Sequence, residues 1–322
     1  MKGYLDSKKR QKTDSEKFLP DVVSILDFSR GHIEVVLKQA ESMEKMPREK
    51  KAQILRNRVV ASLFFEPSTR TRLSFETAAQ NLGARVVGFA DAGVSSTSKG
   101  ETLSDTIHIV ENYADIIVMR HFLEGAARRA AEISKKPVIN AGDGANQHPT
   151  QTLLDLYTIK KQFGKIDGIK IALLGDLKYG RTVHSLMYAL AKFNGVTAYL
   201  ISPDSLKMPK HIIDDNKSKL RIYETQQIEK YLSEVDVLYV TRIQKERFPD
   251  EIEYQKVKNA YIIDNAIVAK AKKGMKIMHP LPRVNEIAPE IDATGAALYF
   301  EQAANGIPVR EALLSMMKDV RK

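Results

Sequence analysis

The chain has 322 residues, 43% hydrophobic and 28% charged, with a formal net charge of +10 at pH 7 and no cysteine. That length exceeds what one hydrophobic core ordinarily serves, so two domains of about 150 residues each are expected, and the composition excludes a largely disordered chain. Without thiols, disulfides, thiolate catalysis and cysteine-based zinc or iron–sulfur sites are excluded.

The opening Met1-Lys2-Gly3-Tyr4-Leu5-Asp6 lacks an apolar signal core, and no apolar run approaches the roughly 18 to 20 residues of a membrane span. A cytoplasmic protein away from membranes is expected. In chain order, β-branched runs at Val59–Phe64, Ala84–Phe89 and Asp115–Met119 read as strands, separated by segments of helical period. The pattern restarts after residue 165 with Ile169–Leu174, Val196–Ile201, Val235–Val240 and Ala260–Ile263. The fold class is therefore α/β, with two doubly wound parallel-sheet domains in sequence. Gln147–Lys161 reads as a helix bridging them, and Glu301–Val320 as one closing helix. No repeat or low-complexity tract interrupts the alternation.

The segment Phe64-Phe65-Glu66-Pro67-Ser68-Thr69-Arg70-Thr71-Arg72 leaves a strand and enters a helix. There the backbone N–H groups of a helix start, the hydroxyls of Ser68, Thr69 and Thr71, and the Arg70 guanidinium can converge on one phosphate. Capping alone does not account for three hydroxyls and two arginines within five positions. Gly175-Asp176-Leu177-Lys178-Tyr179-Gly180-Arg181-Thr182 nearly matches a nucleotide P-loop, but Arg181 stands where a lysine is required. Ala141–Asn146 lacks the third glycine of a dinucleotide loop. His148 begins the bridging helix with Gln151 one turn on, so both face the same side, and His148 suits polarising a carbonyl oxygen as a donor. His279 sits in Met278-His279-Pro280-Leu281-Pro282-Arg283, beyond the last strand. No acidic or cysteine partners stand at zinc spacing, and no metal is expected.

The basic excess is spread along the chain, densest at Lys8–Lys12 and Arg48–Lys51, which read as solvated faces. Charge alone leaves small anions and nucleic acid both open.

Together these segments resemble the aspartate and ornithine carbamoyltransferase family from about Leu26 to Met317. The likeness runs through Ser68–Arg72, Lys99-Gly100-Glu101-Thr102, Met119-Arg120-His121, His148–Gln151, Gly175–Arg181, Thr241–Arg247 and His279–Arg283. It implies transfer of the carbamoyl group of carbamoyl phosphate to the α-amino group of L-aspartate in pyrimidine synthesis, with no cofactor and no nucleic acid. The implied domains are a carbamoyl-phosphate domain at 1–149, an aspartate domain at 150–300 and a C-terminal helix at 301–322 packing back on the first. Ser68, Thr69, Arg70, Thr71 and Arg120 would hold the phosphate. Thr71, Arg120 and His148 would donate to the carbonyl oxygen, and Gln151 with the carbonyls of Pro280 and Leu281 would hold the carbamoyl amide. The catalytic set so implied is Arg70, Thr71, Arg120, His148 and Gln151. Arg181, Arg242 and Gln244, with Leu281, match the aspartate-binding positions, and two arginines suit two carboxylates.

Lys99, which also touches aspartate in the family, and a serine come from a neighbouring subunit, implying a homotrimer with shared sites. Ser95 is matched by its spacing from Lys99. An arginine-lined acceptor site repels the cationic side chain of ornithine, and ornithine enzymes carry His-Cys-Leu-Pro where this chain has His279-Pro280-Leu281-Pro282. Residues 119–128 resemble the kind of segment that joins separate regulatory chains, which some members have and others lack.

Overall fold

Strands buried on both faces need continuous apolar, β-branched runs, and such runs form the centres of two all-parallel sheets here. The structure is a computed structural model and describes residues 18–91, 100–244, 248 and 250–320. It divides into two units, residues 1–150 with 307–322, and residues 151–306.

In the first unit the elements are α1 (Arg30–Lys45), α2 (Arg48–Lys51), β1 (Val59–Phe64), α3 (Thr69–Asn81), β2 (Arg85–Phe89), α4 (Leu103–Val110), β3 (Ile116–His121), α5 (Ala126–Ile133) and β4 (Val138–Asp143). The sheet order is β2-β1-β3-β4, every pair parallel. From β1 the chain steps one way to β2 and then crosses back to β3 on the other side. The reversal leaves a crevice at the carboxyl ends of β1 and β3. One face of the sheet packs Leu63, Ile117, Met119 and Val138 against Ile107, Ala127 and Ala130.

Helix α6 (Pro149–Phe163) leads into the second unit, followed by β5 (Lys170–Leu174), α7 (Arg181–Leu190), β6 (Thr197–Ile201), α8 (Lys210–Asn216), β7 (Arg221–Thr225), β8 (Val237–Val240), α9 (Glu251–Val257), α10 (Asn265–Ala269), β9 (Lys276–Met278), α11 (Tyr299–Ala304) and α12 (Gly306–Met317). The order β7-β6-β5-β8-β9 reverses between β5 and β8.

Three departures from the sequence expectation stand out. Ala260–Ile263 is not a sheet strand: Ile263 makes a single parallel bridge to Ile287, and the place beside β8 belongs to β9. One fully buried position, Ile263, supplies the apolar signal, while Ile262 is 46% exposed. Edge strand β7 carries too little apolar character to be seen, its residues being exposed or half-buried. The expected closing helix is two helices, with Asn305 at the junction accepting from Lys161 Nζ at 3.3 Å and donating to Thr158 Oγ1 at 3.0 Å.

Helix α12 is fixed to the first unit by polar contacts within its core. Glu311 is fully buried and accepts from Lys51 Nζ and Asn81 Nδ2, both at 2.8 Å. Arg310 donates to Ser74 Oγ at 3.0 Å and lies 5.0 Å from the Phe75 ring centroid. Removing one partner of a buried ion pair strands the other, so Glu311→Ala is expected to cost roughly 3 kcal/mol in urea unfolding. The Lys51→Met/Glu311→Leu double variant should lose less. A single variant within about 0.5 kcal/mol of wild type, the range of an ordinary surface change, would show that this pair does not anchor the helix.

Candidate functional site

In the first unit, β1 runs through Phe65 and Glu66 into the start of α3. Phe65 donates its backbone N–H to the Arg120 carbonyl at 2.8 Å, so both strands end level with each other at the crevice. Ser68 is the N-cap of α3 in extended conformation, yet its side chain makes no capping hydrogen bond. The Ser68 side chain thus leaves the first-turn N–H groups uncapped, and N–H groups at a helix start favour an anion. Thr71 is buried, while Thr69 and Arg70 are exposed. Burial lowers the Arg70 guanidinium from its usual value. Arg72 lies along its own helix 3.6 Å from Glu76, which also accepts from Ser62 Oγ at 3.1 Å.

Arg120 is the fixed cation of this unit. Its side chain is 11% exposed, Nη2 lies 2.8 Å from Glu66 Oε2, and Nη1 donates to the Ala141 carbonyl at 3.2 Å. Burial pulls its pKa down and the neighbouring Glu66 carboxylate pushes back. From the sequence Glu66 stands open between a partner for a substrate-site arginine and a plain exposed glutamate, outside the core site residues; the structure pairs it with Arg120. Buried polar side chains then shape the turn after β4. Asn140 Nδ2 donates to Asp143 Oδ1 at 2.9 Å, and Asp143 accepts from the N–H groups of Gln147 at 3.0 Å and Gly125 at 2.9 Å. That turn delivers His148, 5% exposed, immediately before the first residue of α6, with Nδ1 3.5 Å from Thr150 Oγ1.

In the second unit, the reversal point carries Gly175 and Asp176 after β5 and Thr241 to Gln244 after β8. Gly175 has φ +112, and a Cβ there would lie 2.4 Å from the Thr241 carbonyl oxygen, so glycine lets the two strand ends close up. Asp176 is fully buried and its Oδ1 accepts from the N–H groups of Lys178 at 3.2 Å and Tyr179 at 2.9 Å. Those are N–H groups a P-loop would turn toward phosphates, and this side chain occupies them. The nucleotide-loop alternative therefore falls, and the turn serves to place Arg181 at the first position of α7. Arg181, Arg242 and Gln244 are all half-buried. Arg242 also lines a small cleft with Gly175, Thr241, Tyr254 and Lys258.

Pro280 and Leu281 follow β9 on a loop held from beneath. The Leu281 N–H donates to His279 Nδ1 at 2.8 Å, which leaves the ring proton on Nε2, 2.7 Å from Glu286 Oε1. Glu286 Oε2 accepts from the N–H groups of Val284 and Asn285. Leu281 has φ +56, an unfavourable value for a branched side chain that the surrounding bonds maintain. His279, read from sequence as a loop residue near a site, is a buried structural donor instead. Ser95 and Lys99 lie outside the described residues, as do residues 245–247.

A parallel α/β chain with a hydroxyl- and arginine-rich helix start at one reversal point and two arginines at another is built to bind and transfer between small anions. The chain belongs to the aspartate/ornithine carbamoyltransferase family: residues 20–161 match the family's carbamoyl-P binding domain, and residues 167–317 its Asp/Orn binding domain. It is 60% identical over 298 residues to the aspartate carbamoyltransferase catalytic subunit of Thermococcus gammatolerans, covering 92% of this chain and 96% of that one. The corresponding subunit of Archaeoglobus fulgidus is 57% identical, with 91% and 97% covered. Among solved structures, the catalytic subunit of M. jannaschii aspartate transcarbamoylase has a TM-score of 0.87 at 52% identity, covering 93% of this chain and 98% of that one. Trypanosoma cruzi aspartate transcarbamoylase in complex with carbamoyl phosphate and aspartate has a TM-score of 0.86 at 39% identity, with 92% and 96% covered.

The support beneath Pro280 and Leu281 has a pH signature. Burial pushes the Glu286 carboxyl up, but hydrogen bonds from His279 and the neighbouring backbone outweigh it and hold the group below the usual carboxylate range. A depressed folded value contributes stability that is complete above the unfolded value, about 4.3, and is lost as pH falls through the folded one. Glu286→Gln should therefore lower stability at neutral pH and flatten its fall below about pH 4.3, by up to about 1.4 kcal/mol per pH unit. Parallel stability–pH curves for the two proteins in urea titrations would refute this.

Proposed function

We infer that this chain is an aspartate carbamoyltransferase, moving the carbamoyl group of carbamoyl phosphate to the α-amino group of L-aspartate for pyrimidine synthesis. The observation that carries the residue assignment is the start of α3 at the β1/β3 reversal, with Arg120, its side chain 11% exposed, at the end of β3. Ser68, Thr69, Arg70, Thr71 and Arg120 hold the phosphate on this reading. Thr71, Arg120 and His148 donate to the carbonyl oxygen, Gln151 and the carbonyls of Pro280 and Leu281 accept from the carbamoyl amide, and Arg181, Arg242, Gln244 and Leu281 receive aspartate.

The chemistry then needs no protein nucleophile. The aspartate amine attacks the carbonyl carbon, and negative charge builds on the carbonyl oxygen, which Thr71, Arg120 and His148 meet on this reading. The bond to the phosphate oxygen breaks, and the departing phosphate takes the amine proton. Orienting two reactants and meeting the developing charge supply the rate. Ornithine is disfavoured because Arg181 and Arg242 would face a cation.

The reading includes a cytoplasmic homotrimer in which Ser95 and Lys99 of a neighbouring copy complete each site, Lys99 also reaching aspartate. No described helix is long and apolar enough to cross a membrane. Separate regulatory chains are compatible with the family.

Two assays test this. Arg70→Ala and Arg120→Ala should each lower kcat by about two to three orders of magnitude, the effect of losing one transition-state donor, in an assay of carbamoyl aspartate formation. Unchanged turnover would overturn the assignment. Native mass should be three times 36.2 kDa, and mixing inactive Arg120→Ala with inactive Lys99→Ala should restore activity through hybrid trimers. A monomer, or mixtures that stay inactive after subunit exchange, would remove the shared-site proposal.

A further inference from the structure

We propose that Asp155, buried within the second unit, is a positioning residue that fixes the amide of Gln151 and so sets preference for a carbamoyl over an acyl group. This rests on the reading above that Gln151 receives the carbamoyl amide.

Asp155 lies one turn after Gln151 on α6 and is fully buried. A carboxylate so placed is tolerated only when hydrogen-bonded. Three donors meet it: Gln151 Nε2 at 2.9 Å and Gln302 Nε2 at 2.6 Å on Oδ1, and the Tyr239 hydroxyl at 2.8 Å on Oδ2. Burial first, then the Asp155 charge, pushes the Tyr239 hydroxyl well above its usual pKa, so it remains a donor. A carboxylate only accepts, so the edge of Gln151 facing it must be the NH2. The Gln151 oxygen is thereby held on the opposite edge as an acceptor. A carbamoyl NH2 offers that acceptor a proton; the methyl group of an acetyl analogue does not.

The same carboxylate reaches the other proposed acceptors. Gln302, having donated to Asp155, accepts from the His279 N–H at 2.8 Å, directly before Pro280 and Leu281. Tyr239 is paired in register with Met278 of β9 and stands three residues before Arg242. One buried anion thus orients the glutamine acceptor and braces the loop bearing the two carbonyl acceptors. An unpaired acceptor rejects a ligand lacking the matching donor far more strongly than a pocket rejects a change of size.

The experiment measures, in one assay on the intact enzyme, the half-saturating concentration of carbamoyl phosphate and the competitive inhibition constant of acetyl phosphate. Asp155→Leu retains roughly the shape but offers Gln151 no acceptor, whereas an asparagine could still accept from Gln151 through its oxygen. The leucine variant should raise the carbamoyl phosphate constant about tenfold or more, as expected for one lost buried hydrogen bond, and leave the acetyl phosphate constant within about twofold. Gln151→Ala should shift the ratio equally, and adding Asp155→Leu to it should change the ratio no further. If Asp155→Leu weakens both ligands together, or neither, while Gln151→Ala shifts the ratio, the inference fails and the Gln151 assignment stands. If Gln151→Ala leaves the ratio unaltered in an active enzyme, the assignment fails and takes the inference with it. Should Asp155→Leu not fold, Asp155→Ser, too short to reach Gln151, must produce the same shift, and an unchanged ratio there overturns the proposal.

Discussion

The constraint on which everything else depends is that a parallel strand can be followed by another only through a crossover. When successive crossovers leave a strand on opposite sides, the chain segments at its carboxyl end part and leave a crevice. This happens once in each unit, at β1/β3 and at β5/β8. Both crevices are floored by strand ends bonded at fixed register, and both receive the start of a helix. Backbone N–H groups and the first side chains of α3 and α7 are therefore presented by rigid elements.

Holding cations and acceptors in low-dielectric surroundings is costly, and at several of the candidate positions this fold answers with a polar partner set behind the group or the turn that carries it. Glu66 and the Ala141 carbonyl stand behind Arg120. Asp176 ties the turn before Arg181, Asp143 ties the turn before His148, and Glu286 holds His279 beneath Pro280 and Leu281. Asp143, Asp176 and Glu286 are buried and each accepts two or more hydrogen bonds, which makes a buried anion tolerable and leaves its loop one arrangement. This preorganisation suits a reaction in which the substrates contain their own nucleophile and their own base. The protein's contribution is then geometry and a field that does not have to rearrange.

How far the site could be read in advance differed with the kind of signal. Central strands were legible because burial on both faces demands unbroken apolar runs, as in Ile171–Leu174. The segments at 66–72, 175–182 and 279–283 were legible because hydroxyls, arginines, glycines and prolines cluster there in numbers that solvated loops do not need. Strand β4 was passed over because Asn140 and Asp143, both fully buried or nearly so, look like loop residues. Ala260–Ile263 misled for the converse reason, since one buried isoleucine imitates a strand.

By itself, then, the amino-acid sequence determined the α/β alternation, the two-part organisation, the hydroxyl and arginine chemistry of the candidate site segments and the likeness to the carbamoyltransferases. These depend on local composition and order, which the chain carries without folding. Only the tertiary structure decided which strand takes each place in a sheet, that Glu66 pairs with Arg120, that Asp176 occupies two N–H groups of the Gly175–Thr182 turn, and that Asp155 gathers Gln151, Tyr239 and Gln302. Those are contacts between residues far apart in the chain or hidden from solvent. Their partners are chosen by strand register and by the requirement that every buried polar group find a hydrogen bond, and no local pattern encodes either.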